Sequence, residues 1–266
     1  MITVNGTAVS LGSRYPDGTY SFRLNSPPAP AGDDYAQVVW SYDAESEAIA
    51  LLYVVRHLQD HGLKDIHLFL PYLPNARMDR TENVCDVFTL KYFCGFINSI
   101  GFTQVTVFDP HSKVALALLN NVRAIWPGDE IDQILAVLGK DTLLFYPDEG
   151  AVKRYSKMVG LPYNFGVKHR DWESRLVTSY QIIGTEPIKG RRVLVVDDIC
   201  SKGTTFERAA YALHDAGAAE IYLFCSHCER EVFKGTLLDN PYVTHLYTTN
   251  SIYSGDHPKI SVFPIV

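Results

Sequence analysis

The strongest constraint on the fold is a repeated switch between short apolar runs and longer amphipathic stretches. DIHLFLPY, QVTVFDPHS, TLLFYPDEG, RRVLVVDD and EIYLFCSH are runs of strand length, dense in Val, Ile, Leu and Phe. Between them stand EAIALLYVVRHLQDHG, VFTLKYFCGFINSIG, DEIDQILAVLGK and FERAAYALHDAG, whose apolar positions recur at helical spacing, most closing on a glycine. A continuous apolar run suits a strand covered on both faces, and strands that alternate with helices build parallel sheets. The α/β class follows. Two such series are present, with Trp126-Pro127-Gly128 to Lys140 as the crossover between them. The predicted organisation is two tandem domains, residues 1–139 and 140–266, each a mainly parallel sheet flanked by helices. Ahead of the strand AQVVWSY, short alternating runs such as TYSFRL are punctuated by Tyr15-Pro-Asp-Gly18 and Pro27-Pro28-Ala-Pro30, the pattern of hairpins and loops.

Composition removes several function classes. Hydrophobic residues make up 47% of the chain and charged residues 20%, the balance of a soluble globular protein and not of a disordered one. No apolar run reaches the ~18 residues of a membrane span. MITVNGTAVSLGS lacks the basic and apolar regions of a secretory signal, so a cytoplasmic location is expected. A net charge of -6 argues against a nucleic-acid footprint but permits a local cationic site for a phosphorylated small molecule. Five cysteines without framework spacing read as reduced thiols. Cys225-Ser-His-Cys228 has the spacing of half a zinc site, but no second ligand pair is evident. Buried or strand-end thiols are therefore the favoured reading.

Open α/β sheets bind ligands beyond the carboxyl ends of their strands. Three polar clusters occupy such ends: Asp109-Pro-His111-Ser112, Pro147-Asp148-Glu149-Gly150 and Asp197-Asp198-Ile-Cys-Ser-Lys-Gly-Thr-Thr205. The third carries the sharpest signal. An apolar strand delivers two acids, then a small-residue loop opens a helix at FERAAYAL. The backbone N–H groups of Ser201, Lys202, Gly203, Thr204 and Thr205, with the helix N-terminus, form a cradle for a phosphate. Asp197 and Asp198 suit sugar hydroxyls beside it, or a magnesium ion.

VLVVDDICSKGTT resembles the phosphoribosyl-diphosphate motif of type I phosphoribosyltransferases and of ribose-phosphate diphosphokinases. The remaining motifs favour the second family. Pro71-Tyr-Leu-Pro-Asn-Ala-Arg77-Met-Asp-Arg80 resembles its PYFGYARQDR segment, Asp109-Pro-His111-Ser112 its DLHA, and Tyr146-Pro-Asp148-Glu-Gly150-Ala-Val-Lys153-Arg154 its SPDAGGAKR. Lys168-His-Arg170 stands at the K-x-R of its flexible catalytic loop. Tyr15-Pro-Asp17-Gly18 is similar to the adenine-contacting FxDGE, and Thr248-Thr-Asn250-Ser-Ile252 to VTNTI. The resemblance implies two phosphoribosyltransferase-like domains, the second carrying the phosphoribosyl-binding loop. It also implies Mg²⁺-dependent transfer of the diphosphoryl group of ATP to the 1-hydroxyl of ribose 5-phosphate, with release of AMP. Lys168 and Arg170 become the catalytic cations, on a segment VKHRDWESR polar enough to act as a mobile flap. Tyr15, Asp17, Arg77, Met78 and Arg80 become the ATP site, with Arg80 supporting its loop through ion pairs. Asp197, Asp198 and residues 201–205 hold the sugar phosphate, and His111 with Asp148 anchors the Mg²⁺.

Departures from the family pattern mark where this chain differs. Thr19 replaces the glutamate of FxDGE, and Met78 the glutamine after the arginine, both at nucleotide contacts. The loop DDICSKGTT stands where the family reads DDIIDTAGT, exchanging an acid for Ser201 and adding Lys202. That extra cation suits ribose 5-phosphate or a larger 5-diphospho acceptor such as ADP-ribose, which would give ADP-ribose 1-diphosphate for NAD metabolism. A phosphoribosyltransferase and a non-catalytic regulator of a synthetase are the remaining readings. The chain stops at KISVFPIV, where family members continue into a helical segment, and a homo-oligomer, dimer or hexamer, is expected.

Overall fold

The computed structural model describes residues 1–25, 35–170 and 177–266. It divides into two compact units, Met1–Trp126 and Pro127–Val266.

The first unit contains β1 (Ile2–Val4), β2 (Thr7–Ala8), β3 (Ser10–Arg14), β4 (Tyr20–Arg23) and β5 (Tyr35–Trp40). It continues with α1 (Glu47–Asp60), β6 (Asp65–Leu70), α2 (Thr89–Ile100), β7 (Gln104–Phe108), α3 (Val114–Leu118) and β8 (Val122–Ile125). Its main sheet has the order β2-β1-β5-β6-β7-β8, with β5 to β8 parallel and β1 antiparallel to β5. β3 and β4 form a separate antiparallel hairpin. Its turn is the expected Tyr15–Gly18 segment, closed by the Tyr15 N–H donating to the Thr19 carbonyl at 2.8 Å. The proline-rich stretch 27–30 lies outside the described residues. Strands β5 and β6 alternate buried positions with half-buried or exposed ones, and α1 turns Ala50, Leu51, Val54, Val55 and Leu58 onto the same core. Helix α2 ends where Gly101 takes a left-handed conformation at φ 83°.

The second unit holds α4 (Gly128–Leu138), β9 (Leu143–Tyr146), α5 (Glu149–Val159), β10 (Tyr163–Arg170) and β11 (Val177–Ile183). Then come β12 (Arg192–Cys200), α6 (Thr204–Asp215), β13 (Glu220–Cys228), β14 (His245–Thr249) and β15 (Ile260–Phe263). Two 3₁₀ turns, Arg230–Lys234 and Leu237–Asp239, link β13 to β14. The sheet order is β11-β10-β9-β12-β13-β14-β15, parallel except for β11. Val193 and Val195 enter the core on one face of this sheet, Leu194 and Val196 the core on the other. Burial on both faces is why the β12 sequence is apolar without alternation.

The units separate before α4 and not at 139/140 as expected. Ile131, Ile134 and Leu138 pack with Leu144, Tyr146 and Tyr155, so the helix is part of the second core. The segment 167–170, expected as a mobile flap, is strand. Val167 pairs with Gln181 and Lys168 with Tyr180 in an antiparallel ribbon. A polar sequence is compatible with such a ribbon because an antiparallel edge need not be covered on both faces. Residues 171–176 of the expected flap lie outside the described residues.

Candidate active site

The second sheet reverses its direction of growth between β9 and β12. From β9 the chain proceeds outward to β10, and after β11 it returns to lay β12 on the other side of β9. Beyond the carboxyl ends of two such strands the connecting segments diverge, which opens a crevice at the topological switch point. Two predicted clusters flank it: Asp148 follows β9, and Asp197 and Asp198 lie near the end of β12.

Asp148 is the N-cap of α5, its carboxylate accepting from the Ala151 N–H at 3.1 Å. Lys168 reaches it from β10, with Nζ 3.0 Å from Asp148 Oδ2 and 3.3 Å from the Thr205 hydroxyl. The Lys168 side chain is only 13% exposed, so its charge is held at this place and largely withdrawn from solvent. Asp198 is buried and pairs with Arg154 of α5, Nη2 to Oδ2 at 3.0 Å. Asp197 is half-buried and accepts from the Asp198 N–H at 2.9 Å. Burial holds its carboxyl well above the usual range, reinforced by the neighbouring charges of Asp198 and Asp148.

Tyr180 of β11 closes the wall. Its hydroxyl donates to the Pro147 carbonyl at 3.0 Å, and burial, with the carboxylates of Asp148 and Asp197, pushes its pKa up. The ring lies over Gly166, two residues along β10 from its register partner Lys168, where a Cβ would collide with the phenol. The loop after β12 turns through Gly203, at φ 87°, and a Cβ there would also meet Leu237. Lys202 and Thr204 are exposed, Ser201 and Thr205 half-buried. No side chain caps α6 at Gly203, which leaves first-turn N–H groups of this helix for an anion.

In the first unit, two predicted loops meet at the carboxyl ends of β6 and β7. The Ser112 hydroxyl donates to Asp79 at 2.7 Å, joining the segment 71–80 to the segment 109–112. Arg80 lies 3.5 Å from Asp79 and is exposed, as are Arg77 and Met78. His111 is half-buried after β7, beside Asp109, which adopts a left-handed φ of 38°. Tyr15 is exposed on the β3–β4 turn, and Asp17 accepts there from the Thr19 N–H and hydroxyl at 2.9 and 2.7 Å. The threonine at the departing position thus serves the aspartate of the same turn.

The structure therefore gathers Asp148, Lys168, Asp197, Asp198 and Thr205 in one unit, and Arg77, Met78, Arg80 and His111 in the other. His111 and Asp148, expected as a metal pair, belong to different units. The Arg170 side chain lies outside the described residues. Arg154, Tyr180, Gly166 and Asp79 were not singled out as site residues from the sequence. Arg154 falls within a quoted motif, whereas Tyr180 carries no local signal. As for Mg²⁺, among the described residues the three carboxyl groups of Asp148, Asp197 and Asp198 share the switch point with two cations, Lys168 and Arg154. An oxygen donor set with residual negative charge fits a hard divalent cation that keeps waters and joins phosphates.

Residues 155–249 match the phosphoribosyl transferase domain family. The ribose-phosphate pyrophosphokinase of Saccharolobus solfataricus is 24% identical over 93% of this chain and 86% of its own length. Those of Sulfolobus acidocaldarius and Bacillus subtilis are each 27% identical, over 94% of this chain and 87% and 80% of their own lengths. The phosphoribosylpyrophosphate synthetase structure from Mycobacterium smegmatis superposes with a TM-score of 0.78 at 18% identity, covering 97% of this chain and 86% of that one, and shares the fold. These relatives span both units, so the chain is similar to ribose-phosphate pyrophosphokinases over nearly its whole length.

Proposed function

We propose that the protein transfers the diphosphoryl group of ATP to the 1-hydroxyl of ribose 5-phosphate, releasing AMP and forming phosphoribosyl diphosphate. One observation carries the reading: Lys168, Asp148 and Thr205 converge, from three separate elements, beside the acid pair and the helix N-terminus at the switch point. Diphosphoryl transfer asks for positioning and charge neutralisation more than covalent chemistry. In this reading the first-turn N–H groups of α6 and residues 201–205 bind the 5-phosphate. Asp197 and Asp198 accept from the ribose 2- and 3-hydroxyls, with Arg154 holding Asp198 in place. The 1-hydroxyl then faces the β-phosphorus, and Lys168 meets the negative charge on the transferring group. Arg170 acts with it, while Arg77, Met78, Arg80, Tyr15 and Asp17 form the nucleotide side. Mg²⁺ would be held by Asp148 beside the acid pair and would supply neutralisation of the triphosphate.

Lys202 favours a second acceptor. It is exposed in the phosphate loop, and its charge contributes to lowering the pKa of Glu231 on the adjoining 3₁₀ turn, after that of Lys234. A cation on the outer side of the cradle suits a 5-diphosphate as in ADP-ribose. The assay is AMP release from ATP and Mg²⁺ with ribose 5-phosphate or ADP-ribose, followed by chromatography. AMP formed with ribose 5-phosphate supports the main reading, and AMP formed with ADP-ribose alone replaces the acceptor. Absence of AMP with both refutes the transfer.

The same reading places the enzyme in the cytoplasm as a homo-oligomer. No helix among the described residues is long and apolar enough to cross a membrane. Val84, Val87 and Tyr92 expose apolar surface around the start of α2 that association would cover, and light scattering measures the subunit number.

A further inference from the structure

Three sulfurs meet near the end of the acid-pair strand. Cys200 ends β12, and Cys225 and Cys228 lie on its parallel neighbour β13, where the register sets Cys200 against Cys228 and Asp197 against Cys225. The CxxC segment alone offers two ligands, and strand pairing supplies the third. Their Sγ atoms all lie within 4.8 Å of one another, and none of the three residues is more than 1% exposed. All three are free thiols. Their other contacts are long: Cys225 to the Thr248 hydroxyl at 3.7 Å, Cys200 to the Ser201 carbonyl at 3.8 Å and Cys228 to the Glu229 carbonyl at 3.9 Å. Val232, Leu237 and Leu238 belong to the same apolar cluster. Cys94 is buried in the other unit's core and Cys85 is exposed, so neither takes part.

A metal–sulfur bond of ~2.3 Å sets three sulfurs about 4 Å apart around one ion, within the observed limit. We propose that Cys200, Cys225 and Cys228 hold a single thiophilic d¹⁰ cation, Cu(I) or Zn(II), through all three sulfurs. Soft thiolates select these ions over the hard cation of the reaction site. Each ligating thiol gives its proton to solvent as the metal–sulfur bond forms, so no oxidant or reductant is consumed. Among the described residues, no histidine or carboxylate joins the three ligand atoms. His227, between the two cysteines of β13, instead has Nδ1 2.8 Å from the Ser251 hydroxyl. Three sulfurs complete the shell of Cu(I), whereas Zn(II) takes one light-atom ligand more. The ion clasps the end of β12 to β13 immediately before the phosphate loop, independently of the transfer chemistry.

The full chain, stripped of metal and kept under a phosphine reductant, is titrated separately with Cu(I) and with Zn(II), then desalted and analysed for metal. One ion per chain is expected with at least one of them, unchanged in Cys85→Ser and Cys94→Ser and lost in Cys200→Ser, Cys225→Ser and Cys228→Ser. X-ray absorption of the loaded wild-type chain provides the check that needs no variant. Three sulfur neighbours support the site, and an added light atom identifies the Zn(II) form. Substoichiometric binding of both ions, or a shell of nitrogen and oxygen only, overturns it.

Discussion

The two units use the same alternation of strand and helix, yet they present charge differently. In the first, β5 to β8 follow one another across the sheet, and Arg77 and Arg80 stand exposed beyond it. In the second, the sheet reverses between β9 and β12, and there Lys168, Arg154 and Asp198 are withdrawn from water and fixed in pairs: Lys168 with Asp148, Arg154 with Asp198. A fixed and desolvated charge acts strongly on a bound group without reorganising, while an exposed one acts through longer and screened contacts. Under the proposed function, preorganised transfer chemistry belongs to the second unit and adaptable nucleotide contact to the first.

Four substitutions test that division, from the largest effect to the smallest. Asp198→Ala takes the carboxylate partner from the buried Arg154 guanidinium, and urea unfolding should show a loss of about 3–5 kcal/mol. A loss near zero would mean the pair is not desolvated. Lys168→Ala should lower turnover about 10²–10³-fold with little change in unfolding, since its partner Asp148 is 38% exposed. Arg77→Ala should raise the KM for ATP about tenfold or less, because its contacts are made in water. If it costs turnover as heavily as Lys168→Ala, the contrast between the units fails.

Asp197→Asn reads the remaining asymmetry. The raised carboxyl means the folded chain holds a proton that the unfolded chain has released, so stability falls as pH rises above the unfolded value of 3.8. The amide removes that dependence. Near neutral pH it should stabilise the unliganded protein by about 1 kcal/mol, a Tm rise of about 2–4 °C, while lowering activity. Destabilisation, or a pH profile unchanged from the wild type, would show that the fold does not raise the Asp197 carboxyl.

Much of this was legible beforehand. The β12 run and the loop Ser201–Thr205 are local: apolar residues on both faces of one strand, then small residues where backbone must turn and bind. Helix α5 was less so, because EGAVKRYSKMV buries only Ala151 and Tyr155 fully. The segment 167–170 read as flap because polarity reports exposure and is silent on strand pairing. Residues 128–138 fall on the wrong side of the predicted boundary because a helix's apolar stripe does not say which core receives it.

The sequence by itself determined the α/β class, the acid pair, the small-residue loop after it and the motifs that resemble those of the pyrophosphokinases. Only the tertiary structure decided that β12 lies against β9, that Lys168 meets Asp148 and Thr205 from 20 and 37 residues away, and that Cys200 joins Cys225 and Cys228. The physical reason is the range of the information. Periodicity and turn chemistry are written within one element, whereas strand order follows from which apolar faces bury one another across the chain.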